Sequence, residues 1–270
     1  MLVDYHTHHY RCGHATGTLD EVVESAIQAG LDEIGLSDHS PIVHFGDDPH
    51  PFPQTAMHVD EFPRYVEDMQ RVKKAYADRI AVRLGVESDY VMGWDDHYRN
   101  TWQQYPLDYV IGSVHWLGQW SVFWRELPEG KTLTDIYEEY FRAVQAAARS
   151  GIFDIIGHLD VPKTNGHMTG EVTDLVKQTL HVIAEADVAI ELNTSGWRKD
   201  VNDCFPSEDI LRYAAKLDIP ITLGSDAHSP DLVAAGFERA LNLLHNCGFK
   251  RFALFENRQR KIVPLPRVRA

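Results

Sequence analysis

Short apolar segments alternate with helical ones along this chain, and this alternation limits the fold more than any other feature. Seven strands are expected. The first runs from Leu2 to His8, and the others cover 33–37, 80–86, 108–114, 153–157, 188–192 and 219–223. Between them lie amphipathic stretches. Leu19, Val22, Val23, Ala26 and Ile27 follow helical spacing, with Thr18 and Glu21 in capping-box form ahead of them. Phe62, Tyr65, Val66, Met69, Val72 and Tyr76 mark a second helix, and Leu133, Ile136, Tyr137, Tyr140, Phe141 and Val144 a third. Further helices are expected over 172–186, over 207–217, and from a Ser229 cap with Pro230 to about Asn246. The tail from 252 to 263 is expected to add one short strand. Strand–helix alternation of this kind makes an α/β protein with a parallel sheet.

Each of the seven strands ends in polar, chemically capable residues. No Gly-x-Gly-x-x-Gly or P-loop sequence follows any of them, so a nucleotide-binding open sheet has no support. In a barrel all strand ends meet around one cleft, whereas an open sheet would separate the outer ones. The expected fold is therefore a distorted, TIM-like (β/α)7 barrel with its site at the C-terminal ends of the strands. No repeat or linker divides the chain, so 1–270 reads as one domain.

His6 and His8 sit one residue apart at the end of the first strand, which puts both imidazoles on one face. One histidine at a strand end is more often a core residue than a ligand. Here six of the seven strands end in a ligand type: His6 and His8, His39, Glu87, His115, His158, and Asp226 with His228. His14 follows in the first loop. All are nitrogen or carboxylate donors with no thiolate, which suits Zn, Mn or Fe with positions open to water. Nine candidates are too many for one ion, and Glu87 is placed where a carboxylate could bridge two. His9 would point away from His8. His44, His50, His58, His97, His167, His181 and His245 fall in loops or helices and read as surface or packing residues. A Pro- and His-rich stretch from 40 to 57 is too long for a plain connector and reads as a lid or substrate loop.

A net charge of −14 argues against a nucleic-acid surface. An anionic substrate would need metals or local basic residues to reverse the sign in the cleft. Cys12, Cys204 and Cys247 form no CxxC pair and no disulfide framework. With no leader-like run and no stretch approaching 18 apolar residues, a cytoplasmic protein without membrane contact is expected. Oligomeric state is left open.

These motifs together resemble the PHP (polymerase and histidinol phosphatase) family over nearly the whole length. The resemblance runs through Asp4-Tyr5-His6-Thr7-His8, Ile34-Gly35-Leu36-Ser37-Asp38-His39, Leu84-Gly85-Val86-Glu87 and Gly112-Ser113-Val114-His115. It continues through Gly157-His158-Leu159-Asp160, Glu191-Leu192-Asn193-Thr194-Ser195-Gly196 and Gly224-Ser225-Asp226-Ala227-His228. Cys12-Gly13-His14 and Glu87-Ser88-Asp89-Tyr90 look most like the histidinol-phosphate phosphatase branch. Pro162-Lys163-Thr164 departs from that branch, where two adjacent basic residues are common.

The resemblance implies two to three divalent ions. His6, His8, Glu87 and Asp226 would hold the first. Glu87, His115 and His158 would hold the second, and His14, His39 and His228 the third. It also implies hydrolysis of a small phosphate monoester, L-histidinol phosphate, by a hydroxide bridging the first two ions. Glu87 is then catalytic as the bridge. Asp38 or Asp160 would orient ligands or protonate the leaving alkoxide. Arg198 and Lys163 are expected at the phosphate, and Asn193 at the imidazole and amine. Other readings are a phosphoesterase acting on phosphotyrosine or a nucleotide, an amidohydrolase-like metallohydrolase, and a metal-binding protein without turnover.

Overall fold

Residues 1–166 and 173–267 are described by a computed structural model of the chain. Its parallel strands are short and carry almost no exposed side chains. Val3–Asp4 (β1), Glu33–Leu36 (β2) and Ala81–Leu84 (β3) form one parallel sheet in that order. Glu87–Asp89 (β4), Ile111–Ser113 (β5), Ile155–Ile156 (β8), Ala189–Asn193 (β9) and Ile221–Gly224 (β10) form a second, in the order β10-β9-β8-β5-β4. The parallel α/β arrangement expected from the alternation is therefore present.

The two sheets touch at two places, one beyond β1 and one beyond β2. Thr7 bridges to Ala227 and His39 bridges to Glu87, both in parallel sense. The backbone of Tyr5 donates to Leu223 O at 3.1 Å, and Asp226 N to His6 O at 2.7 Å. Buried Asp4 reinforces the first seam, its carboxylate accepting from Ser225 N at 2.9 Å and Ala234 N at 3.0 Å. Each strand thus delivers its last residues to the same end of the molecule.

The helices lie where apolar spacing placed them. Leu19–Gln28 (α1) begins at the Thr18–Glu21 capping box and buries Leu19, Val22, Val23 and Ala26. Glu61–Ala75 (α2), Leu133–Arg149 (α4), Asp174–Glu185 (α5) and Glu208–Lys216 (α6) pack amphipathic faces on the core. The start expected for α5, Val172, lies outside the described residues, as does His167. The last helix is shorter than its Ser229 cap suggested. Pro230–Leu232 is a single 3-10 turn, and the α-helix is Phe237–Cys247 (α7). Gly236, with φ of 81°, starts α7 in a conformation that β-carbons disfavour.

Four elements were not expected, the first being β4, a separate strand that begins at Glu87, where the strand expected over 80–86 was to end. Asp95–Trp102 (α3) is too polar to show a clear apolar stripe, since only Tyr98 and Trp102 are buried. Trp116–Leu117 (β6) and Trp120–Ser121 (β7) make a small hairpin. The tail holds two antiparallel strands, Arg251–Glu256 (β11) and Gln259–Pro264 (β12), rather than one. The 40–57 segment contains no helix or strand. It is fixed by a satellite cluster in which Ile42, Ala56 and Trp116 pack with Phe45, Phe52 and Val91. No helix among the described residues is long and apolar enough to cross a membrane.

Candidate metal centre

Strand period places the first ligands. His6 and His8 face one way from the end of β1, both buried, with ring centroids 5.1 Å apart. Thr7 points to the other face and donates to Gly35 O at 2.9 Å. Glu87, 1% exposed, opens β4 at the middle of the group. One of its oxygens, Oε1, lies 2.9 Å from His158 Nε2 and 3.4 Å from His115 Nε2. The other, Oε2, lies 3.2 Å from His6 Nε2, 3.6 Å from His8 Nε2 and 2.9 Å from His39 Nδ1. Asp226 Oδ1 completes the first side, 3.3 Å from His8 Nε2 and 3.9 Å from His6 Nε2. At the rim, His14 and His228 meet Nε2 to Nε2 at 2.9 Å.

Ligand-type atoms of His6, His8 and Glu87 lie within 4.8 Å of one another, as do those of His39, Glu87 and His115, and those of His8, His39 and His228. His6 Nε2, His8 Nε2 and Glu87 Oε2 are buried and make no hydrogen bond in the protein. Buried polar atoms ordinarily find a partner. Converging nitrogen and carboxylate lone pairs without protons between them are what divalent cations satisfy. The residues present therefore fit the binding of divalent metal.

Electrostatics point the same way. Burial opposes charge on His6, but Glu191, Glu87 and Asp226 outweigh it and hold its pKa well above the ordinary value. His8 is likewise pushed up to about 9, burial being overcome by Asp226 and Asp38. The deep part of the site attracts positive charge. At the rim the sign reverses: burial and the neighbouring His39 and His8 bring His14 down to about 4, and burial with His8 brings His228 down to about 3.

The structure moves several other residues from their expected places. Lys163 is not at the cavity. Its ammonium is buried, 3.0 Å from Asp160 Oδ2, 2.7 Å from Asp203 Oδ2 and 2.6 Å from Cys204 O. That ion pair also accounts for Asp160, which is fully buried and accepts from Ser207 N at 3.0 Å. Neither residue lines the cavity, so the buried ion pair takes the place of the phosphate contact expected of Lys163 and of the proton donation expected of Asp160. Asn193 is buried as well. It donates to Glu191 Oε1 at 3.0 Å and Asp226 Oδ2 at 3.3 Å, and so supports a ligand instead of meeting a substrate. Asp38 stands behind the site, 3.3 Å from His8 Nδ1 and 2.6 Å from His9 Nδ1. That position suits orienting a ligand, and Asp38 is buried and does not line the cavity.

Sequence reasoning missed the supporting carboxylates. Both oxygens of Glu191 lie 3.0 Å from His6 Nδ1, and Asp89 Oδ1 lies 2.9 Å from His115 Nδ1. Period two along a strand was the signal available, since Asp89 follows Glu87 and Glu191 precedes Asn193 by two. Ser195 Oγ donates to Asp226 Oδ2 at 3.0 Å. Beside the histidines opens a cavity of about 560 Å³, walled by Thr55, Trp116, Phe123, Arg198, Lys199 and Leu232. Arg198 is tied to Ser225 O at 2.6 Å, and Lys199 lies 5.8 Å from the Phe123 ring centroid.

Parallel strands that bring imidazoles and carboxylates to one end define an α/β chain with a candidate metal centre. Within that class the chain belongs to the PHP domain family, whose model matches residues 4–195. It is 38% identical over 267 residues to the "Probable histidinol-phosphatase" of Deinococcus radiodurans, covering 97% of this chain and 99% of that one. It is 29% identical to the histidinol-phosphatase of Bacillus subtilis, over 88% of this chain and 97% of that one. In fold it is similar to the histidinol phosphate phosphatase of Lactococcus lactis, solved with zinc, L-histidinol and phosphate. The TM-score is 0.81 at 22% identity, covering 96% of this chain and 98% of that chain.

Proposed function

We propose that this chain is a metal-dependent phosphomonoesterase that hydrolyses L-histidinol phosphate to L-histidinol and phosphate, a step of histidine biosynthesis. The observation that carries the reading is Glu87, buried between two groups of imidazoles, one on each carboxylate oxygen. The full-length similarity to histidinol-phosphatases directs the choice of substrate.

His6, His8, Glu87 and Asp226 would hold one ion, Glu87, His115 and His158 a second, and His14, His39 and His228 a third. Zinc is the first choice, since the Lactococcus relative was solved with it; Mn and Fe suit the same donors. When bound, such ions supply an activated water at neutral pH and neutralise phosphoryl charge. The chain's own residues do the remaining work. Asp38, Asp89 and Glu191 fix the imidazoles of His8, His115 and His6 through Nδ1, leaving each Nε2 aimed inward. Arg198 and Lys199 bring the cavity's positive side chains to the phosphate. Trp116 and Phe123 offer flat apolar walls to an imidazole-bearing leaving group. In the same reading the two sheets are one distorted (β/α)7 barrel, a proposal supported by the Thr7–Ala227 and His39–Glu87 bridges. Residues 1–270 act as one domain, and three buried free thiols suit a cytoplasmic setting.

The test is phosphate release from L-histidinol phosphate by protein with counted metal, beside a panel of other monoesters. Selective release from histidinol phosphate is expected. Equal, slow release from every ester would overturn the substrate assignment, and release from none with ions bound would overturn the phosphatase.

A further inference from the structure

The candidate ligands divide into two sets according to what stands behind them. His6, His8 and His115 each present Nδ1 to a carboxylate: Glu191 at 3.0 Å, Asp38 at 3.3 Å and Asp89 at 2.9 Å. These three are buried, and two further carboxylates, Glu87 and Asp226, stand among them as donors. His158 belongs to the same deep set. It shares their burial but not their support, since its Nδ1 has no hydrogen-bond partner and it is held only through its backbone N–H, which donates to Glu191 Oε1 at 2.8 Å.

The rim set differs in exposure and in having no carboxylate of its own behind its imidazoles. His14 Nδ1 faces the Cys12 carbonyl at 3.3 Å, and His228 Nδ1 the Asp226 carbonyl at 3.0 Å, with Asp226 Oδ1 further off at 3.4 Å. His39 turns its Nδ1 to Glu87 Oε2, an oxygen already shared with His6 and His8. The rim triad therefore brings three imidazoles and no carboxylate of its own. It also meets solvent: the side chain of His228 is 31% exposed and that of His39 12%, against 0% for His6 and His8.

A carboxylate behind a ligand imidazole fixes its tautomer and makes it a stronger donor, and losing such a partner typically weakens metal binding about 10- to 100-fold. We propose that His14, His39 and His228 hold the ion that is taken up last and lost first, so that the centre is a resident pair plus one exchangeable ion. The proposal rests on the reading of the site as a metal centre. It adds an order of binding that follows from this chain's supporting residues.

Equilibrium dialysis of the zinc-loaded full chain against buffers of graded free zinc tests it, with ions counted by mass spectrometry and phosphate release measured alongside. The expected result is loss in two phases, one ion leaving at a free-zinc concentration about 10- to 100-fold above that needed to empty the rest. His14→Ala and His228→Ala should abolish the early phase and leave the late one in place. Glu191→Gln should move the late phase toward the early one. Asp89→Asn, acting on a different imidazole, gives the same readout should Glu191→Gln fail to fold. Loss of all ions in a single phase from a chain that still hydrolyses the ester overturns this inference alone. Loss of every ion on His14→Ala does the same. A chain that takes up no zinc overturns the metal-centre reading along with it.

Discussion

The hydroxyl of Ser113 donates to Oε1 of Glu87 at 2.6 Å, on the oxygen that also faces His115 and His158. A carboxylate that must serve two sides needs its torsion fixed, and this bond fixes it from β5. A hydrogen bond to a charged acceptor contributes about 1.5–3 kcal/mol. Ser113→Ala should therefore lower kcat/KM by about tenfold or more while the chain stays folded. Steady-state kinetics with circular dichroism decide it; unchanged kcat/KM would mean that the imidazoles alone hold Glu87.

Lys163 makes a contrasting prediction. It is sealed against fully buried Asp160, so Lys163→Met leaves that carboxylate without its cation. Breaking a buried pair from one side costs about 3–5 kcal/mol. A large drop in thermal midpoint is expected, with the KM of the surviving folded enzyme unchanged. A normal midpoint with a raised KM would restore Lys163 to the phosphate.

Lys199 occupies the place that Lys163 was expected to fill. It lines the cavity and its charge is felt at Asp226. Its contact with a phosphate ester would be charge-assisted. Lys199→Ala should raise KM by about 3- to 10-fold with a smaller change in kcat, and Lys199→Arg should recover most of it. Equal falls in kcat and kcat/KM would place Lys199 in the chemical step.

The thiol of Cys247, at the end of α7 and not among the cavity-lining residues, gives a pH readout. Burial pushes its pKa up to about 11, with Arg212 opposing and Glu208 adding to the rise. A raised thiol pKa means less thiolate at any given pH below it. At pH 8 the thiolate fraction is about 100-fold below that of a thiol at the ordinary value of 9.0. Alkylation of Cys247 in the native chain should rise about tenfold per pH unit from pH 7 to 10. A plateau below pH 9 would contradict this placement.

Much of this was legible in sequence because strand ends carry it. The period of two put His6 and His8 on one face, and the strands expected to start at 33, 80, 108, 153, 188 and 219 begin at 33, 81, 111, 155, 189 and 221. Lys163, Asp160 and Asn193 were misplaced for a common reason. Lys163 and Asp160 follow β8 by a few residues and Asn193 closes β9, and sequence position near a strand end does not say whether a side chain turns toward the cavity or back to the core. Asp160 and Asp203 draw Lys163 inward, a choice made by residues 40 positions apart. Glu191 went unread because it sits inside a strand with apolar neighbours, where its partner, His6, lies 185 positions away. Helix α3 was missed because two buried aromatics among eight residues make no periodic signal.

Glu191 also leaves a mark on its neighbours. A methyl group on Gly224 would collide with Glu191 Oε2, and one on Gly157 with Ser113 Oγ. Both glycines leave room for side chains that hold ligands.

The satellite cluster of Ile42, Ala56 and Trp116 is separate from the main core, yet Trp116 and the adjoining Thr55 wall the cavity. In the language of protein engineering, the wall and the catalytic floor are distinct modules. Amides of the 40–57 segment should exchange with deuterium well before those of β9 and β10. A different segment grafted between 40 and 57 should therefore alter the wall at Gln54 and Thr55 and the packing under Trp116, while every candidate metal ligand and its supporting carboxylate stays as it stands.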